Sequence, residues 1–245
     1  MTDLTSVAAV AVTYLASSLS FPWLVARLYG VDLRQAGSRK LGGSNLVKSV
    51  GIVPGIVGGV LDAAKGLAAV LIARTLGLPL DVQLACGIAA NIGQMWPLFH
   101  RLDGGRANAT GWGFALAADP IAALIMGMPL AAALVLTLLV RPRPTRLFPL
   151  ASLLSFFVFP AVIWEQEGTT PTVVAALALV GLILFRRITA GLQDDLATGA
   201  PWSRVVANRA LYDRSELQQR GLVAICSLSP PASRPARPSP RRRPR

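Results

Sequence analysis

The chain has 245 residues, of which 53% are hydrophobic and only 15% are charged, with a formal net charge of +12. A soluble domain carries about 25% charged residues, so this composition excludes an ordinary soluble protein. The apolar residues form long uncharged runs, which predict an all-α polytopic membrane protein, because the strands of a membrane barrel would alternate in polarity.

Four uncharged runs are long enough, or nearly so, to cross about 30 Å of hydrocarbon as helices. They lie at 5–26, 82–100, 147–164 and 168–185. Two further apolar runs contain charges: Asp62 and Lys65 lie within 49–73, and Asp119 lies within 107–140. We expect the first run to be a retained span, since no cation precedes it and it lacks a clear cleavage site of small residues.

Loop charges predict the orientation, because short cytoplasmic loops are rich in Lys and Arg. The loops at 29–50, 101–106 and 141–146 carry cations, whereas "EQEG" at 165–168 carries two acids. The rule is satisfied when 107–140 crosses twice, in passes of about 25 Å each, with a break at "ADP" or "GMP". We therefore expect seven spans, with the N-terminus outside and the C-terminus cytoplasmic. Six spans with one long tilted helix is the alternative.

The composition changes after Gly199. We expect a transmembrane domain at 1–199, a basic amphipathic cytoplasmic segment at 200–226, and a disordered Pro/Arg-rich tail at 227–245. Ten of the 24 Lys and Arg follow residue 200, which favours anionic lipid, and not nucleic acid, as the partner. The cysteines, Cys86 and Cys226, have no metal or redox spacing, so no metal site is expected.

The segment "GSRKLGGSN" at 37–45 lies between two predicted spans. Glycines allow successive backbone N–H groups to face one anion, and a helix N-terminus after the loop favours phosphate. Donors and charges come from Ser38, Arg39, Lys40, Ser44, Asn45 and Lys48, with Gly42 and Gly43 between them. Ser44 or Asn45 is a candidate cap for the next helix. The alternative is a flexible basic loop that contacts only lipid headgroups.

Two later motifs complete the candidate chemistry. In "LDAAKG", Asp62 and Lys65 share one helix face, and they are either part of a polar site or a structural ion pair. "DGGR" pairs Gly104 and Gly105 with Arg106, whose planar guanidinium suits phosphate, and Thr110 is a candidate cap. His100 is a candidate general base, but an interface histidine is favoured, because the adjacent Arg101 disfavours the charged imidazole.

Two anion-holding loops on one face predict a site for two phosphates, or for one phosphorylated compound approached from two sides. At such a site positioning and electrostatics drive group transfer. The motifs "GSRKLGGSN", "LDAAKG" and "GQMWPLFHRLDGGRANATG", in this order, resemble those of the bacterial acyl-phosphate:glycerol-3-phosphate acyltransferase (PlsY) family over about residues 15–190. Arg39 and Lys40 stand where that family has Gly and Asn, and Gln94 stands where it has His. A third family motif has Arg186 as its only match.

The resemblance implies a multi-pass protein of the bacterial cell membrane that moves an acyl chain from acyl phosphate to the 1-position of glycerol 3-phosphate. The product would be lysophosphatidate, and the protein would need no cofactor and work as a monomer. It implies catalytic roles for Ser38 and Arg106. The implied substrate-binding residues are Lys40, Gly42, Gly43, Ser44, Asn45, Lys48, Asp62, Lys65, Gln94, Gly104, Gly105 and Thr110. The alternatives are a divergent homologue that binds phosphate or headgroups without acyl transfer, and, less favoured, a transporter, since the chain lacks repeated halves.

Overall fold

The protein is built from α-helices connected by short loops, and the computed structural model describes residues 2–140 and 147–213. The helices are α1 (Thr2–Ser17), α2 (Phe21–Leu28), α3 (Gly43–Ser49), α4 (Ile52–Thr75), α5 (Leu80–Met95), α6 (Asn108–Ala118), α7 (Pro120–Met126), α8 (Met128–Leu139), α9 (Leu147–Glu167), α10 (Pro171–Thr189), α11 (Leu192–Leu196) and α12 (Trp202–Tyr212). A short 3-10 turn, Leu98–His100, follows α5.

Within the described ranges, five helical segments are long and apolar enough to cross a membrane. They are Leu4–Leu28, Ile52–Thr75, Pro120–Leu139, Leu147–Glu167 and Pro171–Thr189. The two helices between them, α5 and α6, have 16 and 11 residues. The prediction of an all-helical polytopic membrane protein is confirmed.

The first apolar run contains a turn between α1 and α2. Ser20 caps α2, because its side chain accepts a hydrogen bond from the backbone N–H of Trp23 at 3.3 Å. At the end of α1, the Lys65 ammonium donates to the carbonyl oxygens of Ser17 and Leu19, at 3.2 and 2.8 Å. These contacts satisfy helix-end groups that would otherwise lack partners inside the membrane. The run 5–26 was predicted as a single span, although Ser20 and Pro22 mark the start of α2.

The run 107–140 turns at Asp119, at the predicted "ADP" break. The Asp119 carboxylate accepts from the backbone N–H of Ala122 at 2.9 Å, and Pro120 begins α7, where a missing N–H costs no helix bond. A second interruption occurs at Gly127, between α7 and α8.

The Arg74 guanidinium at the end of α4 donates to the Ala117 carbonyl at 2.8 Å. The C-terminal ends of α4 and α6 therefore lie together, at the end of the bundle away from the phosphate motifs.

Helices α4 and α6 pack with their backbones in contact. A Cβ atom at Gly66 would lie 2.0 Å from the carbonyl oxygen of Thr110, and one at Gly113 would lie 1.8 Å from that of Ala63. Only glycine permits this approach, as at other close helix contacts in membranes. Phe114 is fully buried beside the contact, and the main core continues from there to α9 and α10.

Helices α11 and α12 form a C-terminal extension, residues 192–213, that packs against the end of α10. Arg209 anchors it: its guanidinium pairs with the buried Asp195 carboxylate at 2.6 Å and donates to the carbonyls of Ala190 and Gly191. Arg187 donates to the Ala210 carbonyl at 3.4 Å. Helix α12 lies within the segment 200–226. Residues 214–226 of that segment, and the tail predicted at 227–245, lie outside the described residues.

Candidate active site

Two loops meet at one end of the bundle: loop one (29–42) precedes α3, and loop two (101–107) precedes α6. Asp103 of loop two joins them, because its carboxylate accepts from the Lys40 ammonium at 3.2 Å and from the Arg186 guanidinium at 2.9 Å. Sequence reasoning missed Asp103. Its position in "DGGR", directly before the glycine pair, was the available signal.

Asn45 organises loop one from the inside. Its buried side-chain oxygen accepts from the Ser38 N–H at 2.7 Å, and its side-chain nitrogen donates to the carbonyls of Lys40, Ala36 and Leu33 at 3.0, 3.1 and 3.3 Å. With these bonds made, the Asn45 amide shapes the loop instead of facing a ligand. Gly37 lies against it with φ +57°, where a Cβ atom would be 2.3 Å from the Asn45 oxygen.

The expected helix cap after loop one was wrong. Helix α3 begins at Gly43, its N-cap is Gly42, and no side chain caps it. Asn45 is already inside the first turn of α3, where its side chain reaches back into loop one instead of bonding the helix N-terminus.

Gly104 and Gly105 hold loop two against the end of α5. Their N–H groups donate to the carbonyls of Met95 and Gln94, at 3.2 and 3.0 Å, and Arg186 donates to both glycine carbonyls, at 3.2 Å each. A Cβ atom at Gly104 would lie 2.3 Å from the Gln94 carbonyl oxygen. The glycine pair therefore serves close packing, and its N–H groups are not directed at an anion as the sequence had suggested.

A buried polar network lies beneath the loops and consists of Asp62, Lys65 and Gln94. The Asp62 carboxylate pairs with the Lys65 ammonium at 3.0 Å and accepts from the Gln94 side chain at 2.7 Å. Lys65 also donates to the Gln94 side-chain oxygen. The Gln94 nitrogen further donates to the Leu41 carbonyl at 3.2 Å. Gln94 thus bridges a carboxylate and an ammonium and connects α4 and α5 to loop one.

An inner cavity of about 320 Å³ lies between the loops and this network. Of the predicted site residues, it is lined by Lys40, Gly42, Gly43, Ser44, Asp62, Gln94, Gly105 and Arg106. The first residues of α6, Asn108 and Ala109, also line it. The N–H groups of a first helical turn have no partner within the helix and favour anions.

A larger basic cavity of about 650 Å³ adjoins the inner one. Its cationic lining residues are Arg34, Arg39, Lys40, Arg101, Arg106 and Arg209. Ser38 lines it too, so the structure brings the two predicted catalytic residues, Ser38 and Arg106, to one cavity. Lys40 and Arg106 line both cavities, which makes them the two cations shared by the whole site.

Burial lowers the pKa of the Lys40 ammonium, and the nearby Asp103 carboxylate opposes that shift. The side chain of Lys40 is only 17% exposed. A partly desolvated cation interacts more strongly with an anion than one in water does. A protonated Lys40 therefore attracts an anion in these cavities more strongly than an exposed lysine would.

Five predicted binding residues line neither of these cavities: Asn45 and Gly104, whose contacts within the loops are given above, and Lys48, Lys65 and Thr110. Lys48 is exposed in the last turn of α3 and lines neither of these two cavities. Thr110 is fully buried at the α4–α6 contact, and α6 is preceded by Ala107 as its N-cap, so Thr110 is not the cap. Lys65 faces an apolar cavity of about 390 Å³ between α1 and α4, with Val12, Ala68 and Ile72 among its lining residues.

His100 lines the basic cavity beside an aromatic and charged cluster. Its ring meets the Trp23 ring edge-on at 5.0 Å, and Trp23 donates to the Asp32 carboxylate at 3.1 Å. Burial, followed by the Arg34 charge, lowers the pKa of His100, which favours the neutral imidazole. Within residues 2–140 and 147–213, no three His, Cys, Asp or Glu side chains are grouped to hold a metal ion.

Comparison with known proteins gives a consistent family match. A family model described as glycerol-3-phosphate acyltransferase matches residues 7–192. A glycerol-3-phosphate acyltransferase from Synechococcus sp. (strain CC9902) is 34% identical over 185 residues, covering 75% of this chain and 88% of the relative. One from Neisseria meningitidis serogroup C is 36% identical over 189 residues, covering 74% and 89%.

Two solved structures have a similar fold. One is the crystal structure of PlsY, an integral membrane glycerol 3-phosphate acyltransferase, in its glycerol 3-phosphate form. It matches this chain with a TM-score of 0.67 and 26% sequence identity, and the match covers 80% of this chain and 93% of the PlsY chain. The lysophosphatidic acid form has a TM-score of 0.65 and 25% identity, with the same coverage. The chain therefore belongs to the glycerol-3-phosphate acyltransferase family.

Proposed function

We propose that this membrane acyltransferase moves an acyl chain from acyl phosphate to the 1-hydroxyl of glycerol 3-phosphate, giving lysophosphatidate and inorganic phosphate. One observation carries the proposal: Lys40 and Arg106 face two adjoining cavities, so two phosphorylated molecules can share the same cations. The family match and the PlsY forms with glycerol 3-phosphate and lysophosphatidic acid support the acceptor and the product.

The predicted residues divide into those that contact phosphate and those that shape the site. In this proposal Ser38, Lys40, Ser44 and Arg106 contact phosphate, helped by the backbone at Gly42 and Gly43. Asn45, Gly104 and Gly105 hold the two loops in shape. Asp62, Lys65 and Gln94 form the floor, and Thr110 packs α6 on α4. Lys48 draws anions to the surface from outside the cavities.

The acyl tail lies in the apolar cavity between α1 and α4. That cavity is lined mainly by small and aliphatic side chains and reaches the floor of the site at Lys65. A chain of CH₂ groups gains about 0.8 kcal/mol for each group moved from water into such surroundings. The reactive carbonyl group then lies where the apolar cavity meets the phosphate cavities.

In the reaction, the 1-hydroxyl oxygen attacks the carbonyl carbon of acyl phosphate and forms the new ester C–O bond. The bond from that carbon to the phosphate oxygen breaks, and the hydroxyl proton leaves with the departing phosphate. Negative charge grows on the leaving phosphate oxygen, where Arg106 and Lys40 stabilise it. Ser38 donates a hydrogen bond to an oxygen of the reacting group. No protein base is needed, which suits the neutral and unoriented His100.

The arrangement in the membrane is also part of the proposal. Seven crossings place the N-terminus outside and both loops in the cytoplasm, with 107–140 crossing twice around Asp119. The transmembrane domain spans 1–199, the basic cytoplasmic segment 200–226, and the Pro/Arg-rich tail 227–245. The proposal takes the monomer as the working unit. The loop charges support this orientation.

The test is turnover by the full-length protein purified in detergent, with acyl phosphate and labelled glycerol 3-phosphate. Lysophosphatidate should form, and Arg106→Ala should lower kcat/KM by about 100-fold, the usual cost of a lost transition-state donor. Arg27→Ala removes an exposed cation that lines neither phosphate cavity and should change the rate less than twofold.

Glycerol 3-phosphate binding without any product would instead support the divergent homologue, a hypothesis motivated by Gln94 in place of the family histidine. Equal activity of Arg106→Ala and the unsubstituted protein would leave the acyltransferase in place but refute this site.

A further inference from the structure

The C-terminal extension places a carboxylate on the central arginine of the site. Asp213 directly follows α12, and its Oδ2 lies 2.5 Å from Nη1 of Arg106. Asp213 also lines the inner cavity. The family match ends at residue 192, so this carboxylate comes from a part of the chain beyond the matched region.

The contact between Arg106 and Asp213 uses only part of the hydrogen-bonding capacity of each side chain. Nε of Arg106 and Oδ1 of Asp213 have no hydrogen-bond partner among the described residues. Arginine and an oxyanion reach their strongest geometry with two parallel N–H···O bonds. A phosphate that used the free Nε together with a terminal nitrogen would satisfy the guanidinium better than Asp213 does.

The extension is anchored upstream of this contact. Arg209 binds Asp195 and the carbonyls of Ala190 and Gly191, and Arg187 holds the Ala210 carbonyl. Asp213 itself is the C-cap of α12, with φ +54°. Left-handed backbone is unfavourable for residues other than glycine, although aspartate tolerates it better than most. Asp213 can therefore leave Arg106 by a local change of backbone while α12 stays packed.

We propose that Asp213 is an autoinhibitory carboxylate that occupies Arg106 until a substrate phosphate displaces it. The inference rests on the proposed phosphate-binding role of Arg106. A carboxylate and a phosphate repel each other, so the pair between Asp213 and Arg106 opposes phosphate binding at the same guanidinium. The fraction of molecules with Arg106 free limits the apparent affinity for phosphate, so the extension sets the substrate concentration at which the enzyme responds.

The test compares Asp213→Asn with the unsubstituted full-length enzyme. The amide keeps the size but loses the charge, so KM for glycerol 3-phosphate and the inhibition constant of inorganic phosphate should both fall by roughly three- to fivefold, as expected for an ion pair near the surface. The value of kcat should stay within twofold. Asp213→Glu retains the charge and should resemble the unsubstituted enzyme.

Asp194→Asn is the matched control, because Asp194 belongs to the same extension and also lines the basic cavity, so the substitution removes the same charge nearby without breaking a pair with Arg106. An equal fall in KM for Asp194→Asn would show a general charge effect and overturn the proposal. An unchanged or raised KM in Asp213→Asn would also overturn it, the rise indicating that Asp213 positions Arg106. Full activity of Arg106→Ala would refute the underlying site instead. Calorimetric titration of each variant with inorganic phosphate supplies a second readout that does not require turnover.

Discussion

Lys40 is the residue whose charge the site depends on most directly, since it faces both phosphate cavities. Burial lowers its pKa from the ordinary lysine value of 10.5. As pH rises through this lowered pKa, the ammonium loses its proton and phosphate affinity falls. The alkaline limb of kcat/KM should therefore lie below pH 10.5, and Lys40→Arg should move it upward, because arginine remains charged.

The control for that pH profile is Arg39→Lys, which exchanges the same two residue types one position earlier, at a residue lining only the basic cavity. An alkaline limb that is identical in Lys40→Arg and the unsubstituted enzyme would show that another group controls it.

Asp62 contributes to the stability of the protein, and this contribution can be measured separately from activity. Its carboxylate is buried between Lys65 and Gln94, and removing one partner of a buried pair costs about 3–5 kcal/mol. Asp62→Ala should therefore lower the thermal midpoint of the detergent-solubilised protein by at least about 6 °C. Asp81→Ala, at an exposed position near the start of α5, should shift it by less than about 3 °C. Equal shifts would mean that the network adds no stability.

Residue types alone indicated which side chains carry charge, but not what those side chains contact. The sequence correctly grouped Ser38, Lys40 and Arg106 near one another. It treated Asn45 and the glycine pair as ligands for an anion, whereas their polar groups are used within the loops. These bonds depend on where α5 ends relative to loop one, which no local pattern encodes.

At the scale of elements, the contact between α4 and α6 depends on two glycines. Gly113→Ala would place a methyl group 1.8 Å from the Ala63 carbonyl oxygen, so the helices must separate. Overpacking of this kind costs about 1–3 kcal/mol, and a shift of the inner cavity should also reduce kcat/KM. Gly181→Ala in α10 meets nothing within 4 Å and should be neutral or slightly stabilising. A stable, fully active Gly113→Ala would contradict the packing.

The helices themselves were largely predictable, because uncharged runs have few alternatives inside a membrane. The turn at Asp119 was also predictable from proline and aspartate. The turn between α1 and α2 was not predicted, although its own segment carries a comparable signal, with Ser20 as the N-cap and Pro22 in the first turn of α2. What the segment does not encode is the contribution of Lys65, a residue of α4 that donates to the end of α1.

For the whole molecule, the proposed orientation makes opposite loops accessible from opposite sides. In a background with Cys86→Ala and Cys226→Ala, Gln166→Cys should react with a membrane-impermeant maleimide on intact cells. Gln35→Cys should react only after the membrane is opened. Both glutamines are exposed, so accessibility reports the side of the membrane. Labelling of both on intact cells, or of Gln35→Cys alone, would contradict the orientation.

The backbone contact of α4 with α6 also determines where the enzyme can deform during turnover. Side chains between two helices can change rotamer and absorb a displacement, but two backbones in contact cannot be compressed. The part of the floor that belongs to α4, Asp62 and Lys65, is therefore rigid. We expect the site to change shape in the two loops and at Asp213, which follows α12. In the proposed reaction we therefore expect substrates to enter and products to leave by motion of the loops above a fixed base, with the reacting carbonyl held at one depth in the bilayer.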